Sequence, residues 1–144
     1  TSPPYRVSQQ EEMAMISTKY IPELSLGTIP VLEKRTFRGY AGSHVIPFAE
    51  TTIYTNNKGG WELDAGNRIT LEFLIEDTSP KGCAMDIGYI DLATTEGCHP
   101  LYVNYIKNGI RVTFSAPSKS NYKFYLFNAS SDTVTIKELK IVES

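Results

Sequence analysis

The chain has 144 residues, 41% hydrophobic and 21% charged, which suits one domain with its own core and excludes a disordered or fibrous chain. Fourteen Lys and Arg against 16 Asp and Glu leave a net charge of -2, so no basic field invites nucleic acid or an anionic membrane surface. No apolar run is long enough to span a bilayer and no signal segment opens the chain, which begins at Thr1 rather than Met. Any membrane anchor is expected to precede Thr1.

The first predicted element is a helix within "YRVSQQEEMAMISTKY", residues 5–20. Ser8 followed by Glu11 has the form of a capping box, and Met13, Ile16 and Tyr20 share a helical face. Pro3 and Pro4 precede it and Pro22 ends it. A helical segment over 1–22 and a β domain over 23–144 are therefore expected. Residues 23–48 mix Gly, Pro and short apolar pairs, the pattern of connections with one or two irregular strands.

From Thr51 the pattern becomes regular. A short strand, Thr51 to Thr55, is followed by the turn cluster "NNKGG", and then by Trp61 and Leu63. In "RITLEFLIE" Ile69, Leu71, Phe73 and Ile75 lie on one face, opposite Arg68, Thr70, Glu72 and Glu76, a clear period of two. Met85, Ile87 and Tyr89 alternate likewise. Asn108-Gly109 between "LYVNYI" and "IRVTFS" predicts a hairpin. The last pair, "NYKFYLFN" and "TVTIKELKIV", surrounds "ASSD". Tyr122, Phe124 and Leu126 alternate with Lys123, Tyr125 and Phe127, so this strand is apolar on both faces and belongs mid-sheet. One face is expected to meet a second sheet and the other the helix at Ser8 to Lys19. Short turns without intervening helices exclude a parallel α/β sheet and predict a mainly β fold, an antiparallel β-sandwich of jelly-roll type with one N-terminal helix.

Cys83 and Cys98 sit beside Gly82 and Gly97 at strand ends. Read as a disulfide, they would close a loop of roughly 15 residues worth about 3 kcal/mol, and would place the chain outside the cytoplasm; the alternative is two buried thiols.

Catalytic chemistry is thinly supplied. The two His, His44 and His99, lie in separate segments, and Cys98 beside His99 cannot aim at its own neighbour. No nucleophile elbow and no zinc spacing occur. Glu76, Asp77 and Asp91 are scattered carboxylates rather than a calcium loop. A Gly-rich phosphate loop is absent, so no cofactor is implied. Lys34, Arg35 and Arg38 sit beside Glu33 and read as a solvated edge. A carboxylate pair for glycoside hydrolysis is left as a third reading. Binding is better supplied: Trp61, Tyr54, Tyr89, Tyr102 and Tyr105 offer apolar rings with polar tips, the material of a saccharide or peptide platform. Asn128-Ala129-Ser130 is a glycosylation sequon.

From about Thr52 onward, "WELDAGNRITLEFLIE", "IGYIDLATTE" and "RVTFSAPSKSNYKFYLFNASSDTVTI" resemble small secreted β-sandwich domains of Gram-positive bacteria. Some of those stand alone, and others resemble extracellular domains of sensor peptidases of the beta-lactam-responsive type. The tail, through Tyr122, Phe124, Tyr125, Asn128, Ser130 and Ser131, is also similar to the Golgi-dynamics sandwich. The resemblance implies a jelly-roll-like fold and transfers no catalytic motif. The expected function is thus an extracytoplasmic, non-enzymatic binding or sensor module. Its ligand would be a carbohydrate, peptide or protein partner. The rival is a structural accessory domain of a secreted or surface protein.

Overall fold

The computed structural model describes residues 27–32, 38–76, 82–94 and 98–143. The predicted helix and Lys34, Arg35 and Asp77 lie outside them. Among the described residues eleven strands form two sheets: β1 (Gly27–Pro30), β2 (Gly39–Ala41), β3 (His44–Ile46), β4 (Thr51–Thr55), β5 (Trp61–Leu63), β6 (Arg68–Ile75), β7 (Cys83–Asp91), β8 (Cys98–Ile106), β9 (Gly109–Ser115), β10 (Ser120–Asn128) and β11 (Val134–Glu143). One sheet runs β1-β4-β10-β7-β8 with β5 continuing β4 along β10; the other runs β2-β11-β6-β9 with β3 continuing β2 along β11. All pairings are antiparallel except β1 with β4. The fold is the expected β-sandwich.

The core lies between the sheets. Ile69, Leu71, Phe73 and Ile75 of β6 point inward as their alternation requires, and meet Tyr54, Trp61, Met85, Ile87, Tyr122 and Phe124 from the other sheet. The two-faced strand β10 is central, between β4–β5 and β7. Tyr122, Phe124 and Leu126 fill the core, while Tyr125 and Phe127 join Ile53, Ile90 and Cys98 in a second buried cluster on the outer face. There the Tyr125 hydroxyl donates to the buried Asp86 carboxylate at 3.0 Å. Its ring crosses Gly88, where a Cβ would come within 2.6 Å of the hydroxyl. The sequence at this position needs a residue without a side chain.

Two sequence expectations change. Asn108-Gly109 does not close a hairpin within a sheet: it turns a corner from β8 in one sheet to β9 in the other, which pairs with β6. Asn108 adopts φ 68 and Gly109 lies so near β6 that a Cβ would be 2.5 Å from the Phe73 carbonyl. The turn chemistry was read correctly; the partner strand is a long-range choice. The "ASSD" turn likewise passes the chain from β10 to β11 in the opposite sheet.

The predicted disulfide is not formed. Register sets Cys83 opposite Ile106 and Cys98 opposite Ile90, at the two ends of the β7–β8 ladder. Seven residues of strand separate them, about 24 Å at 3.4 Å per residue, far beyond the reach of a bridge. They also belong to different buried clusters, Cys83 inside the sandwich and Cys98 on the outer face. The argument from a disulfide to an oxidising compartment therefore falls.

Candidate functional site

The five aromatic residues expected to form a platform do not share a surface. Trp61 and Tyr54 have no solvent exposure. Alternation along β5 turns Trp61 and Leu63 inward and Glu62 outward, and the Trp61 ring lies 5.5 Å from that of Phe124. Tyr89 is half-buried, 4.5 Å from Phe114 and stacked on His99 at 4.9 Å. Tyr102 packs against the same core and donates its hydroxyl to the Tyr105 carbonyl at 2.8 Å. Tyr105 faces the other way and lines a small cleft of about 360 Å³ beside Ser130. A two-sheet core needs large rings, and packing has claimed most of these.

A cleft of about 720 Å³ opens at the end of the sandwich where β5 and β7 finish and β10 begins. Its lining includes Glu62 and Asp64, Leu92, and Lys119 and Asn121. Trp61 and Tyr122, the ladder neighbours of Glu62 and Asn121, turn into the core, where Trp61 packs on Phe124 and Tyr122 on Tyr89 and Phe114. Glu62 and Asn121 alternate with inward-facing neighbours on β5 and β10, and are opposite one another in the ladder.

Internal bonds tie the walls together. The Asp91 carboxylate accepts from Ser120 Oγ at 2.5 Å and from Ala93 N at 2.9 Å, joining the segment after β7 to the first residue of β10. Leu92 N donates to the Asn121 carbonyl at 2.9 Å. Asn67 Oδ1 accepts from Asp64 N at 2.9 Å and closes the β5–β6 turn. The Tyr122 hydroxyl donates to the Ser118 carbonyl at 2.5 Å and pins the β9–β10 loop. By contrast, the side chains of Glu62, Asp64, Lys119 and Asn121 make no hydrogen bond or ion pair with any described residue. Leu92 is 43% exposed. The result is a rigid cleft with two carboxylates, one ammonium and one amide facing solvent around an apolar contact.

Glu62 and Asn121 are outward-facing strand residues and Asp64 and Lys119 lie in the adjoining turns, within "WELD" and "SKSNY", so nothing in their local pattern separates them from ordinary solvated positions. Their one signal is position: each cluster abuts an aromatic residue that the core takes up.

Other candidates are committed elsewhere. His44 bonds to Tyr54 and to the Gly42 carbonyl; His99 stacks on Tyr89. The two lie on strands of different sheets. Arg38 pairs with Glu143 at 3.1 Å on an edge. Asn128 of the sequon is fully buried. Its Nδ2 donates to the Ile46 and Asp132 carbonyls at 2.9 and 2.8 Å, and its Oδ1 accepts from Ser130 N at 2.9 Å and from the Ser130 hydroxyl at 2.6 Å. The folded domain therefore offers no amide nitrogen there to a glycan. Among the described residues no three His, Cys, Asp or Glu side chains gather to hold a metal ion, and no helix is long and apolar enough to cross a membrane.

No protein-family model matches the chain, and no curated protein is similar to it in sequence. Solved structures are similar in fold. A surface-associated copper-binding protein of Methylomicrobium album BG8, CorA, superposes with a TM-score of 0.52 at 7% identity, over 83% of this chain and 99% of that one. The pre-peptidase C-terminal domain of a Bacillus anthracis collagenase gives 0.46 at 15% identity, over 80% and 92%. A carbohydrate-binding module of Cellvibrio mixtus lichenase 5A gives 0.46 at 8%, over 81% and 98%. At such identities the likeness concerns the sandwich fold alone, so the resemblance read from the tail holds at that level and at no finer one.

Proposed function

We propose that the chain is a non-catalytic binding module that holds a saccharide in the cleft between Glu62, Leu92 and Asn121. One observation carries the reading. Four polar side chains converge on a braced cleft without being used by the fold, and a cleft of about 720 Å³ is within the size range of small-ligand sites. Sugar hydroxyls both donate and accept. They would donate to the Glu62 and Asp64 carboxylates and accept from Lys119 and the Asn121 amide, while Leu92 meets the apolar face of the ring. Specificity would come from polar placement rather than from an aromatic platform. The reading holds inside or outside the cytoplasm, since the cysteines no longer decide the compartment.

A glycan array with the purified chain, followed by calorimetry on the hits, tests this. Glu62→Ala and Asn121→Ala should each weaken binding by about tenfold, the scale of one hydrogen bond lost, with the melting temperature unchanged. Binding to no glycan, or equal binding by both variants, would contradict it.

A further inference from the structure

Tyr54 and His44 belong to different sheets. Tyr54, on β4, is fully buried, with its ring 5.9 Å from Phe73. His44, on β3, is half-buried, and among the described residues β3, three residues long, pairs with β11 alone. His44 Nε2 lies 2.7 Å from the Tyr54 hydroxyl, and Nδ1 lies 2.6 Å from the Gly42 carbonyl. A carbonyl can only accept, so Nδ1 carries the hydrogen. In the neutral imidazole Nε2 is then an acceptor and Tyr54 donates to it. The directions of both bonds follow from the chemistry of the partners.

We infer that His44 and Tyr54 form an acid-sensitive latch between the two sheets. A proton added to Nε2 would point at the Tyr54 hydroxyl. The hydroxyl would have to turn its own hydrogen away, and no other described group accepts it. That hydrogen would be stranded in an apolar core, which is costly. The groups facing His44 are few: Tyr54 from β4, Ile136 across the ladder on β11, and the Gly42 carbonyl next to its own strand. No charged side chain among the described residues shifts its titration. Burial lowers the pKa of His44 below its ordinary 6.5, with the Gly42 bond opposing in part, and burial raises that of the Tyr54 hydroxyl. The unfolded imidazole therefore binds a proton more readily than the folded one. Stability is full above about pH 6.5 and declines as pH falls toward the lower native value. The Gly42–Ile46 segment would then loosen from the seam, uncovering Tyr54 and the free side of β11.

Amide hydrogen exchange of His44 to Ile46, corrected for intrinsic rates and followed from about pH 7.5 to about pH 5, tests the latch. Opening should become about tenfold easier in acid, the loss of one buried hydrogen bond. His44→Gln keeps an acceptor oxygen without titrating and should show no such rise. Tyr54→Phe should exchange faster at every pH and keep only the smaller acid step that burial of the imidazole supplies by itself. Imidazole NMR at neutral pH should show the Nδ1–H tautomer. An acid step that persists in His44→Gln, one as large in Tyr54→Phe as in the natural chain, its absence in the natural chain, or the Nε2–H tautomer would overturn the inference.

Discussion

Strand β10 starts at one end of the sandwich and finishes at the other, and polar side chains are used in opposite ways at its two ends. At the far end every polar atom of the Asn128 side chain is bonded to the chain itself, tying the β3 exit, the "ASSD" corner and the end of β10 together. At the near end Asp91, Ser118 and Ser120 are bonded, but they hold in place Asn121 and Lys119, which are not. The first arrangement is a corner. The second is a corner that carries a site. Both are runs of Asn and Ser beside aromatic residues in the sequence; only the hydrogen-bond accounting separates them.

Substitutions can break that contrast. The largest effect is expected from Trp61→Ala, which empties the core behind the strand that carries Glu62. Loss of a fully buried ring should cost about 4 kcal/mol in chemical denaturation and abolish binding with it. Next comes Asn128→Ala, which takes the amide away from the Ile46 carbonyl and Ser130 N and leaves the Asp132 carbonyl with the Ser130 hydroxyl as its donor. We expect a loss of about 3 kcal/mol, read as a lower urea midpoint, with unchanged affinity for any glycan hit in the protein that remains folded. Asp91→Asn should be milder, about 1 kcal/mol, since charge-assisted bonds to Ser120 and Ala93 become neutral ones. It should also weaken binding, because it loosens the cleft walls. Smallest in stability are Glu62→Ala and Asn121→Ala, expected within about 0.5 kcal/mol of the natural chain. If Asn128→Ala weakened binding as much as Asn121→Ala does, the two ends would not differ as described.

Much of this fold was legible in the residues. The alternation of Ile69, Leu71, Phe73 and Ile75 marks a core-facing strand, and the two-faced run from Tyr122 to Phe127 marks a central one. Local periodicity reports burial, and burial is what it predicted. Sheet membership was not legible. Asn108-Gly109 encodes a tight reversal, but whether the next strand pairs with its predecessor or crosses to β6 depends on contacts distant in sequence. The cysteines failed for the same reason, since flanking glycines say nothing of a ladder that sets Cys98 opposite Ile90. The site was legible only at one remove. Trp61 marks the right end of the molecule, but packing absorbs the ring and leaves Glu62 and Asp64 as the exposed chemistry.

We propose that the end cleft, and no aromatic face, is where the chain binds. Backbone amide shifts followed while a glycan-array hit is titrated into the labelled protein test it most directly. The account predicts that the largest shifts fall at Glu62, Asp64, Leu92 and Asn121, with Ala84, Tyr105 and Ser130 silent. Shifts centred on Tyr105 and Ser130, or on the outer face of β6 and β9, would contradict it.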